Sequence, residues 1–162
     1  MGLPDWEGFG ANFNNDRSRR YRLWRAWGGG SRVCFVMLNP SIADETILDP
    51  TIRRCIGFAR AWSMSGLYVV NLFSIVSSCP KVLAANPESI DLENDLHIIR
   101  TARSSSLVVC AWGAFPAAQD RGQRVTTLLH DEGVATHCLG KTKGGYPRHP
   151  LYLRANTKLE EW

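Results

Sequence analysis

Val33-Cys34-Phe35-Val36-Met37-Leu38-Asn39-Pro40-Ser41 is a short apolar run that stops abruptly at an Asn-Pro pair and is preceded by Gly28-Gly29-Gly30. Such a run reads as a buried strand that delivers polar residues to its C-terminal edge. In an open α/β sheet that edge is where ligands bind. Three later apolar runs end in the same way. Leu67–Phe73 carries Asn71 near its end, Ser106–Gly113 closes on Trp112-Gly113, and Ala135–Gly140 closes on Gly140.

Helical signals lie between these strands. Asp49-Pro50 pairs an N-cap with a first-turn proline, and Ile52, Cys55, Ile56 and Ala59 form an apolar stripe, so a helix is expected over 50–61. Asp91 caps a second helix of about 92–104, with Leu92, Leu96 and Ile99 expected inward. A third spans 121–132, with Val125, Leu128 and Leu129 inward, Arg121 and Arg124 outward, and Gly133 as its stop. Alternation of strand and helix predicts a three-layer α/β/α sandwich with a mainly parallel four-stranded central sheet. Tyr21–Trp27 alternates large apolar and basic residues, which predicts an antiparallel strand forming a hairpin with 33–38.

The 162 residues are expected to make one domain, with a loose arm at 1–19 and a basic loop and tail at 141–162. No apolar run reaches the roughly 18–20 residues of a membrane span. The N-terminus lacks the basic and apolar regions of a signal peptide, so the expected location is the cytoplasm. Five scattered cysteines without a CxxC pair give no disulfide framework and no zinc site, and Cys34, Cys110 and Cys138 lie in core-like runs. Neither a Walker loop nor GxGxxG is present, which removes support for ATP hydrolysis and dinucleotide binding. No cofactor, no metal and no obligate protein partner is implied.

The net charge is +4, and the basic residues are grouped at Arg17–Arg25, at Arg53, Arg54 and Arg60, and along Lys141–Lys158. Such grouping is compatible with a polyanion and equally with a solvated surface. At the shared sheet edge, Asn39 and Asn71 offer amides that donate and accept together, a chemistry suited to a planar hydrogen-bonding ligand such as a nucleobase. Asn71 is either satisfied by backbone groups or held open for such a ligand. Phe73, Trp112 and Tyr152 provide stacking surfaces. The 74–90 loop is long enough to cover a site. Asp44, Glu45 and Asp49 form an acidic group that would suit a cation, although Asp49 also reads as the helix cap.

Met37-Leu-Asn-Pro-Ser41, Asp49-Pro-Thr-Ile-Arg-Arg-Cys55, Val69-Val-Asn-Leu-Phe73, Ala111-Trp-Gly113 and Pro147-Arg-His-Pro-Leu-Tyr-Leu153 resemble the bacterial and phage family called domain of unknown function 1643. A more distant likeness is to the uracil-DNA glycosylase superfamily, in its mismatch-specific branch. Leu38-Asn39-Pro40-Ser41 resembles the first motif of that branch, Val70-Asn71 its base-reading asparagine, and His149-Pro150 its late His-Pro motif. The chain departs from the pattern in lacking a glycine before Asn39 and an aspartate in the first motif.

This resemblance implies a hydrolase that flips a modified or mismatched base and cleaves its N-glycosidic bond. Asn39 would position water and His149 would stabilise charge on the leaving base. Pro40, Ser41, Asn71, Phe73 and Trp112 would surround the base. Arg53, Arg54, Lys141, Lys143, Arg148 and Arg154 would hold DNA phosphates, with Leu151 and Tyr152 entering the vacated gap. The alternatives are a non-catalytic nucleic-acid-binding module and a nucleotide or nucleoside hydrolase acting on free small molecules.

Overall fold

The computed structural model describes residues 8–43, 46–85 and 91–162. Its strands are β1 (Gly8–Phe13), β2 (Arg20–Ala26), β3 (Arg32–Met37), β4 (Gly66–Asn71), β5 (Leu107–Cys110), β6 (His137–Cys138) and β7 (Glu160–Glu161). The helices are α1 (Pro50–Ala61), α2 (Lys81–Ala85), α3 (Leu92–Arg103) and α4 (Ala118–Asp131), with a short 3-10 turn at Pro150–Tyr152. All seven strands form one mixed sheet in the order β1-β2-β4-β3-β5-β6-β7.

The opening stretch sits at the centre of this sheet. From Val33 to Met37 every residue of β3 is buried, and the strand pairs in parallel with β4 on one side and β5 on the other. Successive side chains point to opposite faces. Val33, Phe35 and Met37 pack with Ile52, Cys55, Phe58 and Ala59 of α1, whereas Cys34 and Val36 pack with Ile98 of α3 and Val125 and Leu129 of α4. Helices therefore cover both faces. The cysteines at 34, 55, 110 and 138 are buried thiols, and burial pushes Cys34 up to about 12.

The four parallel strands are β4, β3, β5 and β6, but they sit inside a larger sheet than expected, with β1, β2 and β7 antiparallel at its edges. β2 does not form a hairpin with β3. It pairs with β4, because β3 already has a strand on each side. The triglycine segment crosses the start of β4 instead: Trp27 and Gly28 donate to the Ser65 carbonyl, Ser65 donates to Ser31, and a Cβ at Gly30 would lie 2.5 Å from Ser65 Oγ. Within the expected loose arm, residues 8–13 form edge strand β1 on β2. At the other end, Trp162 is fastened by its backbone to Thr136 and by its indole Nε1 to Thr126 Oγ1 (3.0 Å).

Two helix faces differ from the periodic reading. In α3, Leu92 and Leu96 are 74% and 49% exposed, and the inward residues are Asn94, Asp95, Ile98, Thr101 and Ala102. Arg121 of α4 is buried rather than outward, donating Nε to the Leu72 carbonyl (2.9 Å) and pairing with Asp95. Asn94 Nδ2 donates to the Asn71 carbonyl (2.9 Å). The helices turn a polar face inward because the end of β4 presents backbone carbonyls there, and buried carbonyls need donors.

Candidate functional site

Beyond the carboxyl ends of β3, β4 and β5 lies a cleft of about 260 Å³. Asn39, Ser41, Asn71, Trp112 and His149, drawn from four separated stretches of sequence, all line it. Its far wall is the start of α1, with Asp49, Thr51 and Ile52, and its cover is the 74–80 loop, with Ser77, Ser78 and Pro80. Period-two alternation explains the entry of Asn71: it shares a face with Leu67 and Val69, which point towards α1.

Asn39 is held firmly. Its Nδ2 donates to the carbonyls of Ser77 (2.8 Å), Pro40 (3.1 Å) and Ile75 (3.3 Å), clamping the covering loop to the end of β3. Those bonds use the amide nitrogen and leave its carbonyl oxygen as the acceptor for other groups. Asn71 is different. It is 1% exposed, and its Nδ2 is buried with no hydrogen-bond partner among the described residues. A buried donor left unmatched is costly in a folded protein, and Asn71 is also one of the residues lining the cleft.

Asp49 caps α1, accepting from Ile52 N (2.8 Å) through one carboxyl oxygen and from Ser41 Oγ (2.9 Å) through the other. The cap that starts the helix thus also places a carboxyl group in the cleft. Asp44 and Glu45 of the acidic group lie outside the described residues.

His149 reaches the cleft on a strap formed by residues 140–149. Lys141 bridges Pro147, Thr142 N donates to Tyr146 O, Arg148 N donates to Gly140 O, and Gly113 N donates to Pro147 O. Gly113, at φ +78°, allows the approach, since a Cβ there would lie 3.4 Å from His149 Cβ. His149 Nδ1 accepts from Leu151 N (3.2 Å), which leaves any ring proton on Nε2. Burial lowers the imidazole below its ordinary value of 6.5, opposed by the nearby Asp49. The ring is therefore a neutral donor near pH 7.

The remaining expected residues fall elsewhere. Phe73 is 3% exposed in the core on the α3 side and is not among the described residues that line the cleft. Pro40 is buried and ties its carbonyl to Ser77 N, outside the lining. Arg53, Lys143, Arg148 and Arg154 are exposed, Leu151 is half-buried and Tyr152 is 93% exposed. Arg54 lies 5.2 Å over the Phe58 ring, and Lys141 Nζ lies 5.5 Å over Trp162. Arg20, buried and bonded to the Ala43 carbonyl, lines the cleft too. Its membership was not foreseen, because a charge on a strand edge reads as solvent-facing.

The fold and cleft define a mixed α/β protein with a polar site at the carboxyl edge of its parallel strands. The chain belongs to the family described as "Protein of unknown function (DUF1643)", which matches residues 20–151. No curated protein and no solved structure matches the chain.

Proposed function

We propose that the cleft binds a nucleobase flipped out of DNA and hydrolyses its N-glycosidic bond. The observation that carries this reading is the buried, unpartnered Asn71 Nδ2 in the same cleft as Asn39, Asp49 and His149. Asn71 Nδ2 would donate to an acceptor on the base edge. Trp112 would close one side. Water held between Asn39 Oδ1 and the Asp49 carboxyl would attack C1′, forming the C1′–O bond as the C1′–N bond breaks and its electron pair leaves with the base. Asp49 would take the water proton. The neutral His149 Nε2–H would donate to the base as negative charge develops there. In this mechanism the helix cap supplies the carboxyl group that the Leu38–Ser41 motif lacks.

The likeness to the uracil-DNA glycosylase superfamily supports the reading through its three motifs, together with helices on both faces of a sheet whose centre is four parallel strands. Arg53 and Arg148 support a DNA substrate by position. Arg53 follows the lining residues Thr51 and Ile52 in sequence, and Arg148 precedes His149; both are exposed. Tyr152, almost fully exposed beyond His149, is the side chain free to enter a duplex.

The test is incubation of purified protein with single-stranded and duplex oligonucleotides carrying uracil, hydroxymethyluracil, hypoxanthine or mismatched bases, followed by detection of abasic sites. Cleavage of at least one base, abolished by Asn71→Ala and by Asp49→Asn, is expected. DNA binding without abasic sites on any substrate would overturn it. The small cleft also favours a second reading, a hydrolase of free nucleosides or nucleotides. That reading expects product from nucleosides at rates unaffected by Arg53→Ala and Arg148→Ala.

A further inference from the structure

Trp112 is the wall of two clefts. Behind it lies a second one of about 110 Å³, lined by Gln119 and Gln123 of α4, by Gly144, Tyr146 and Pro147 of the strap, and by Trp162. Trp162 stands edge-on to Trp112, with ring centroids 5.6 Å apart at 90°. Tyr146 is half-buried and lies tightly on the backbone of Gly144, where a Cβ would come within 3.2 Å of the phenol ring. The second cleft thus offers aromatic surface beside two exposed side-chain amides, the combination that stacks and hydrogen-bonds a planar polar ring. A volume near 110 Å³ is room for a single ring, well above the roughly 10–15 Å³ that one water needs.

The same strap contributes to both clefts: Pro147 lines the second and His149 the first, and Arg148, the residue between them in sequence, is exposed, its Cδ lying 3.4 Å from where a Cβ on Gly140 would be. Gly140 has φ +90°, so a bare backbone lies beneath the arginine stem. An exposed guanidinium on the strap that serves both clefts suits a phosphate group. We propose that the second cleft receives the base of the nucleotide adjoining the one in the main cleft, with Arg148 on the phosphate between them. The inference deepens the reading above, on which it rests, by making a strand of at least two linked nucleotides the substrate.

The full chain is titrated, following its tryptophan fluorescence, with the dinucleotides dApdA, dCpdC, dGpdG, dTpdT and dUpdU and with each matching 5′-monophosphate. At least one dinucleotide is expected to bind about tenfold more tightly than its monophosphate, a stacking-sized difference. Tyr146→Ala should remove most of that advantage while leaving monophosphate affinity unchanged, and Arg148→Ala should weaken the dinucleotide and the monophosphate together. Gln119→Ala, at an exposed position, is the second variant should Tyr146→Ala fail to fold. The proposal is overturned if no dinucleotide outbinds its monophosphate, or if the advantage survives both Tyr146→Ala and Gln119→Ala. Hydrolysis of free nucleosides with no dinucleotide preference would overturn the two-cleft substrate alone and keep a hydrolytic site. The expected dinucleotide preference without abasic-site formation would instead remove the hydrolase reading and keep the two clefts.

Discussion

Asn71 is an exception to the economy of its surroundings. Its backbone carbonyl is satisfied by Asn94, yet its side-chain Nδ2 is buried with no partner among the described residues. Leaving such a donor unmatched costs about 1–3 kcal/mol, which a fold accepts only where something else is gained. Asn71→Leu, which keeps the branching of the side chain but replaces the amide with methyl groups, is therefore expected to leave the thermal midpoint unchanged or raise it, while ligand binding is lost. A melting curve beside the abasic-site assay reads both; a marked fall in midpoint would show that the amide is already paired. His149 gives a pH prediction. Burial lowers its value below 6.5, so the unfolded chain takes up a proton before the folded chain does. Its contribution to stability is complete above about pH 6.5 and declines as pH falls from there to the folded value. Protonation also removes Nδ1 as the acceptor for Leu151 N. His149→Asn, whose amide oxygen can hold that cap without titrating, is expected to flatten this part of a midpoint-against-pH curve. NMR titration should place the wild-type imidazole below 6.5.

Among the elements, α1 was legible from its ends and α3 only in part. Asp49-Pro50 and the stripe Ile52, Cys55, Ile56 and Ala59 set the span and face of α1, because cap, proline and apolar period agree. The span and cap of α3 follow from Asp91, but its buried face does not, since apolar periodicity is blind to a helix that turns polar side chains inward. Asn94 and Asp95 do so, the first bonding carbonyls at the end of β4 and the second holding Arg121 against Leu72. These helices consequently fix the strand end that carries Asn71. Asn94→Ala should lower stability by about 1–3 kcal/mol by leaving buried carbonyls unmet. Arg121→Ala should cost more, about 3–5 kcal/mol, because Asp95 would lose the partner of its buried pair. Denaturant titration ranks the two; a cost for Arg121→Ala below that for Asn94→Ala would contradict the arrangement. Gly122 is a third such point, since a Cβ there would lie 2.7–3.0 Å from the Trp112 indole. Gly122→Ala should displace the wall shared by the two clefts, seen as a changed near-UV tryptophan signal with a stability loss of about 1–3 kcal/mol.

At the scale of the molecule, the strand-helix alternation made the parallel centre of the sheet readable and left its margins obscure. The pairing of β2 with β4 depends on which edge of the central strands is vacant, and β7 is two residues long; neither leaves a local pattern in the chain. The cleft was legible in the same uneven way. Asn39, Asn71 and Trp112 follow from the ends of strands and His149 from the His-Pro motif of the tail, whereas Arg20 and the second role of Asp49 emerge only when β2 and α1 are placed beside those ends. Phe73 was misplaced because it falls past the end of β4 and turns into the core on the α3 side. Among the described residues, no helix is long and apolar enough to cross a membrane. What the assembled molecule adds is a cleft whose neighbouring positions carry exposed cations in a chain of net charge +4. If Arg53 and Arg148 each neutralise one DNA phosphate, each releases counterions on binding, and the slope of log affinity against log salt should become shallower by about 0.7–0.9 for each arginine replaced by alanine. Arg103→Ala, in the ion pair with Glu132 at the end of α3, should leave that slope unchanged. Fluorescence anisotropy of a labelled oligonucleotide between about 50 and 200 mM salt covers the range in which such slopes are read. Equal slopes for Arg53→Ala, Arg148→Ala and the wild type would remove DNA from these positions, since a polyanion gripped there cannot be indifferent to the loss of those charges.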